Sequence, residues 1–250
     1  MAGVKQRRTV HRMPAEKRVA DIMTAARAVL RERGANEAFI SEVAERAGVV
    51  EGSIYRFFSS KRDLVEKVAE AWYEETLADY SAQFDGVCGV RNQLRFVIHH
   101  HLATIKREPA LSRIVFQEFR PAENYRQTRL FALNQAYTQR VSDVVKAAAR
   151  SGEFRSDISA SLARDLIFGG IEHRVWAFLR NEGDFDVGRT ADAVTEFVYS
   201  ALRADAPQPE DRMSSALARI EAVAERLETA GRAQAGSTRP KSARGAQALK

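Results

Sequence analysis

Apolar residues recur along this chain at steps of three and four, the spacing of helices that bury one face. Between 16 and 33, Val19, Ile22, Met23, Ala26, Val29 and Leu30 share a stripe, and Gly34 follows where a helix end must turn back. The pattern predicts short helices over 40–47, closed by Gly48, and over 51–58, then a longer one from Lys61 to about Tyr80. After a glycine-bearing break at 85–89, Leu94, Val97, Ile98, Leu102 and Ile105 mark a helix stopped before Pro109. A brief helix is expected over 110–119, ended by Pro121, and longer ones over 123–151, 160–181 and 189–203. Gly152 is a stop, and Asp157 or Ser159 a candidate N-cap. No segment alternates at period two, so no sheet is predicted. The fold class is all-α.

Beyond Pro207 and Pro209, Met213, Leu217, Ile220, Val223 and Leu227 form a narrow seam over two heptads, a helix that docks on the body or frays. Residues 231–250, rich in Ala, Gly, Ser and Arg, read as a disordered tail. Charge sharpens this division. The net +6 sits at the ends: residues 1–18 carry six Lys/Arg against one acid, and 231–250 carry five against none. The body is near neutral. Basic ends suit a polyanion, although a solubilising tail has the same composition. No apolar run spans a bilayer, the N-terminus lacks the apolar stretch of a secretory signal, and the single cysteine, Cys88, excludes an internal disulfide. A cytoplasmic protein is expected.

The candidate chemistry lies in ISEVAERAGVVEGSIYRFF, residues 40–58. Two helices joined by a tight turn need a small residue where they touch, a turn glycine, and apolar residues aimed at one core. Ala44, Gly48, and the set Ile40, Val43, Ala47, Val49, Ile54 with Phe57 or Phe58 meet those needs. This is a helix-turn-helix, whose second helix enters the DNA major groove by its N-terminal residues. Gly52 and Ser53 permit close approach to phosphates or base edges. Tyr55 and Lys61 are expected to reach flanking phosphates. Glu51 and Arg56 point outward, where Arg pairs with guanine and Glu accepts from cytosine. Ser41 completes the candidate DNA contacts. Because one such unit reads few base pairs, two units roughly 34 Å apart on a palindromic operator are expected.

Continued to VAERAGVVEGSIYRFFSSKRDL, 43–64, the sequence resembles the DNA-binding domain of TetR-family transcriptional regulators over residues 15–78, with Ala44, Gly48, Gly52, Ser53, Tyr55, Phe58, Lys61 and Leu64 in register. Val50 and Phe39 depart from it, standing where hydroxyl residues are usual. A lost cap costs about 1 kcal/mol. The resemblance implies a basic arm (1–14), a three-helix helix-turn-helix domain (15–61), and a helical ligand-binding and dimerisation domain (62–204); the prolines, the seam and the composition beyond them mark a linker with an extra helix that docks or frays (205–230) and a basic tail (231–250). It also implies dimerisation through the last two helices of the body. Ala163, Gly170 and Ala177 recur every seven residues within LARDLIFGGIEHRVWAFLRNEGDFD, 162–186. With Val194, Phe197, Val198 and Ala201 they are the candidate interface, unless the stripe packs inside the monomer.

The runs QEFR (117–120), AARSGEF (148–154) and SLARDLIFGGIEHRVWAFL (161–179) resemble TetR-family repressors of fatty-acid degradation, which answer to acyl-CoA thioesters. That resemblance implies an apolar slot lined by Phe116, Phe119, Phe131, Phe168 and Trp176, with Arg113, Arg120 and His173 for polar groups. Each aromatic equally suits plain core packing, and a different hydrophobic or aromatic inducer stays open. No cofactor is expected. Adjacent His99, His100 and His101 point 100° apart on a helix and cannot converge on one metal; His101 shares the apolar face of Leu94, Ile98 and Ile105. No nucleophile–base or paired-carboxylate constellation supports an enzyme. A DNA-binding protein held by its basic ends, without ligand control, is the remaining alternative.

Overall fold

The computed structural model describes residues 14–35, 39–204, 217–222 and 226, and it divides the chain into two units, 1–203 and 204–250. In the second, residues 217–222 are helical and Leu217 and Ile220 are exposed. The basic arm before Pro14, the linker and the tail lie outside the described residues, as do Met213, Val223 and Leu227 of the seam.

The first unit is a succession of helices: α1 Ala15–Arg33, α2 Phe39–Arg46, α3 Glu51–Ile54, α4 Lys61–Phe84, α5 Val90–Arg107, α6 Pro109–Ile114, α7 Arg129–Arg150, α8 Ala160–Leu179 and α9 Val187–Leu202. Among the described residues no sheet forms; one isolated antiparallel bridge joins Phe154 to Arg203. Helix α1 packs on α2, α4 and α6, α4 on α7, α5 on α7 and α9, and α8 on α7. The stripe read from α1 is the buried one: Ile22, Ala26, Val29 and Leu30 are sealed.

Local chemistry sets the ends. Gly48 adopts φ +64°, a left-handed conformation that a side chain disfavours, and lets the Val49 N–H reach back to the Ala44 carbonyl at 3.0 Å. Ser60 caps α4, its hydroxyl accepting from the Asp63 N–H at 3.1 Å, while Asp63 accepts from the Ser59 N–H at 2.7 Å. Ser159 caps α8 in the same way; Asp157 is occupied by Arg155 instead.

Four expected boundaries move. Helix α4 runs on to Phe84, because Tyr80 and Phe84 stack at 5.9 Å between centroids against Phe96 of α5. The helix expected over 110–119 begins at Pro109 and ends at Ile114, where the backbone widens into a π turn, Val115–Phe119; the Arg120 N–H reaches the Val115 carbonyl at 3.0 Å. The helix expected from 123 starts at Arg129, because the Thr128 hydroxyl accepts from the Phe131 N–H at 3.1 Å and a 3₁₀ turn, Tyr125–Gln127, precedes it. The predicted 51–58 helix is cut to α3.

Candidate nucleic-acid interface and effector domain

Helix α3 has four residues because the Ile54 carbonyl accepts from the Phe57 N–H at 2.9 Å as well as from the Phe58 N–H at 3.0 Å. That tightened turn carries Phe58 into the core beside Ile54 and leaves Phe57 exposed, so Phe58 closes the hydrophobic set. Val50 holds the extended geometry of an N-cap with no side-chain bond to offer. Two exposed arginine pairs, Arg33–Glu42 at 3.0 Å and Arg46–Glu32 at 2.5 Å, tie α1 to α2.

Glu51, Gly52, Tyr55, Arg56 and Ser41 are all exposed, and Ser53 is half-buried. Tyr55 is 51% exposed. A Cβ added at Gly52 meets no protein atom within 4 Å, and its backbone is not left-handed. Nothing inside the chain demands a glycine there.

Lys61 departs from the expected outward reach. Its ammonium donates to the Ala35 carbonyl at 2.8 Å and lies 5.8 Å from the Phe39 ring centroid, so it ties the start of α4 to the loop before α2. The buried Phe39, unusual for lacking a hydroxyl, is part of that tie. Val50, which sequence reasoning treated only as a missing cap, is 72% exposed beside Glu51. Its methyls suit a thymine methyl.

The eight candidate pocket residues do not form one pocket. Phe116 and Trp176 meet edge-on at 6.3 Å, with the Arg120 guanidinium 5.4 Å from the Phe116 ring and paired with Glu172. Phe119 is buried beneath Arg62, and Phe131 packs on Tyr125. Arg113 donates to the Leu179 carbonyl at 3.3 Å. His173 is exposed and shares a hollow of about 470 Å³ with Arg174, Trp176, Ala177 and Arg180. Helix α8 turns His173 and Phe168 to different sides, since residues five apart lie 140° apart around a helix.

Phe168 belongs to another group, with His101, Tyr137, His100 and Tyr80, which sequence reasoning largely missed. The His100 Nδ1 lies 3.2 Å from the Tyr137 hydroxyl. Among the described histidines His100 has the least exposed surface, and His101, expected on the apolar face, packs against Tyr137 and Phe168. Burial lowers the His100 pKa against the opposing pull of Asp79, and burial pushes His101 down to about 3, with His100 and Arg120 adding to the shift. Both imidazoles are neutral near pH 7. Tyr73, whose hydroxyl donates to Asn134 Oδ1 at 3.2 Å, is raised by burial. The residues at spacing 73, 80, 101, 137 and 168 come from four helices, which no local pattern connects.

A groove of about 780 Å³ runs between α8 and α9, lined by six of the seven candidate interface residues, Ala163, Gly170, Val194, Phe197, Val198 and Ala201. Ala177 lies instead in the smaller hollow. Ala163 is buried within the monomer, whereas Gly170 is exposed. Leu166 and Phe197 are 66% and 77% exposed, and Leu166 was not among the expected residues. Among the described residues no helix is long and apolar enough to cross a membrane, and no cluster of three metal-ligating side chains occurs.

This architecture, a helix-turn-helix with exposed residues along the start of its second helix joined to a helical domain with an aromatic interior, defines a class of DNA-binding regulator, and comparison with known proteins agrees. Residues 22–68 match the model of bacterial regulatory proteins of the tetR family, and residues 73–201 match that of the YsiA-like protein C-terminal region. The fatty acid metabolism regulator protein of Bacillus subtilis is 23% identical over 181 residues, covering 72% of this chain and 93% of that protein. The transcriptional repressor KstR2 of Mycobacterium tuberculosis is 23% identical over 168 residues, covering 64% and 78%. The solved structure of FadR from Bacillus subtilis in complex with stearoyl-CoA superposes with a TM-score of 0.64 at 23% identity, covering 74% of this chain and 99% of that one. The chain belongs to the TetR family of bacterial regulatory proteins. It is a DNA-binding transcriptional regulator, not an enzyme.

Proposed function

We propose that the protein is a dimeric repressor that binds a palindromic operator through Glu51, Gly52, Ser53, Tyr55 and Arg56 and is released by an acyl-CoA thioester. It acts in the cytoplasm, where its DNA is, with residues 15–61 as the reading domain and 62–204 as the effector and dimerisation domain. The observation that carries the DNA contacts is Gly52: open on every side within the chain, yet glycine, so the constraint comes from outside. Gly170 on α8 is open in the same way and lies in the groove with exposed Phe197, which supports a second copy packing there. A four-helix contact of two α8–α9 pairs buries those side chains.

The thioester reading rests on likeness to regulators named for fatty-acid metabolism and to one solved with stearoyl-CoA. The hollow of His173, Arg174, Trp176 and Arg180 offers cations and one indole face, which suit the phosphates and adenine of a CoA. One observation favours a second inducer class. The interior of the effector domain is a layer of packed rings (Tyr80, His100, Tyr137 and Phe168), faces on which a flat polycyclic ligand would stack, and a relative solved in this fold is described as a ketosteroid regulator.

Fluorescence anisotropy on an operator selected from random DNA tests both halves. Saturable binding to one palindrome, lost on adding stearoyl-CoA but not free CoA or stearate, supports the reading. Release by a sterol CoA ester alone favours the ring-bearing inducer. Binding without sequence preference defeats the DNA contacts, and indifference to every thioester defeats the ligand.

A further inference from the structure

Two arginines of α1, the part-buried Arg27 and the exposed Arg31, turn to one carboxylate. Glu108, 1% exposed, is the residue between α5 and α6. Its Oε2 accepts from Arg31 Nε at 2.8 Å, and its Oε1 accepts from Arg27 at 2.7 Å and from a second Arg31 nitrogen. Arg31 therefore engages both oxygens with its planar fork. Arg27 gives its other nitrogen to Glu75 of α4 at 2.6 Å. The backbone of Glu108 is held as firmly: its N–H donates to the Thr104 carbonyl and its own carbonyl accepts from the Ser112 N–H, both at 3.0 Å. Pro109 follows at the first position of α6.

An ion pair with its carboxylate buried and its arginines partly exposed adds little net stability over an apolar contact of the same shape, because desolvation of the carboxylate offsets the attraction. What it adds is direction. Apolar side chains slide over one another at small cost, whereas a two-oxygen, two-nitrogen fork tolerates neither rotation nor a shift along the helix. Helix α1 packs on α2, which leads into the reading turn, so the angle of α1 is the angle of the head.

We propose that Glu108 is a positioning residue for operator recognition: through Arg31 and Arg27 it fixes α1 against the α5–α6 joint and so sets the distance between the two reading heads of a dimer. The segment it opens also touches the effector side, since Arg113 donates to the Leu179 carbonyl of α8 and Phe116 meets Trp176. Glu108 thus stands where a change at α8 is passed to α1 as a change of angle. The inference rests on the dimeric-operator reading above.

The test varies half-site spacing. One base pair added between half-sites moves them about 3.4 Å and turns them by about 35°. Parent, Glu108→Gln and Arg31→Lys are titrated with the selected palindrome, with versions one base pair longer and shorter, and with a single half-site. Arg31→Lys keeps the charge without the fork, and it carries the test if Glu108→Gln fails to fold by circular dichroism. The expected parent preference for its own spacing, on the order of tenfold or more, falls to about threefold or less in the variants, with half-site affinity unchanged. Variants that keep the parent's preference, or lose half-site affinity in proportion, overturn the positioning role alone. A parent indifferent to spacing overturns that role and the dimeric-operator reading together.

Discussion

The imidazole of His101 on α5 meets the ring of Phe168 on α8 edge to face, centroids 4.8 Å apart and planes at 87°. With Tyr137 also beside it at 5.6 Å, the imidazole has rings where a charge would want water. This contact makes the effector core pH-sensitive. Burial holds the folded pKa near 3, against 6.5 for the free group, so between those values the unfolded chain binds a proton that the folded chain refuses. Stability is full above about pH 6.5 and falls as pH drops towards 3, by at most ~1.4 kcal/mol per unit from this residue. His100 shifts the same way and adds to the slope. Melting temperatures of the parent are expected to fall more steeply from pH 7 to 5 than those of His101→Leu; parallel curves would count against the assignment.

Gly52→Ala separates stability from recognition. The added methyl meets no protein atom within 4 Å, and alanine is the better helix former, so the melting temperature holds or rises, by about 0.5–1 kcal/mol in stability. Operator affinity is nevertheless expected to fall about tenfold or more as the methyl meets DNA. Equal operator affinity would remove Gly52 from the contact surface.

Arg56→Ala and Tyr55→Phe test two kinds of contact. An arginine at a guanine edge contributes ~1–3 kcal/mol of discrimination, so Arg56→Ala is expected to relax sequence preference at one position of each half-site. On the proposed contacts Tyr55→Phe removes a phosphate contact alone, and it is expected to weaken all sequences alike. A binding-site profile from selected DNA reads both outcomes, and an unchanged profile for Arg56→Ala refutes its assignment.

Phe197→Arg places a charge where the most exposed aromatic ring of the described residues now sits. Sedimentation is expected to show a monomer, because a guanidinium buried at an apolar two-fold interface leaves two like charges facing each other. Half-site binding should survive and palindrome binding should fall. A dimer of undiminished affinity would mean that α8 and α9 pair with something else.

Gly48→Ala forces an alanine to φ +64° with no steric clash to add, so its cost is the backbone term alone, about 1–2 kcal/mol. Thermal denaturation measures it. A neutral result would imply that the α2–α3 turn relaxes out of the left-handed region.

The reading head was legible in the sequence because its determinants are close neighbours. Gly48 needs only its own φ, and Ile54 and Val43 need only the helical period to face one core. The length of α3 was not legible. Whether the chain continues helically past Ile54 turns on how deeply Phe58 must dip to meet the core, and both phenylalanines fit the period. The bond made by Lys61 was not legible for a similar reason: a lysine at a helix start looks solvent-facing until the Ala35 carbonyl comes within its reach.

The effector domain divides the same way. Periodicity, Gly152 and the Ser159 cap give the end of α7 and the start of α8, since such signals act over one turn of chain. Which aromatics meet was decided only by how α4, α5, α7 and α8 cross and rotate. That brought His100, His101, Tyr137 and Phe168 together and left His173 and Trp176 elsewhere, because a stripe tells which way a side chain faces but not what it faces. Glu108 is the extreme case. In sequence it is one more acid before a proline; packing brings Arg27 and Arg31, about eighty residues earlier, onto its two oxygens, and only that burial makes its charge matter.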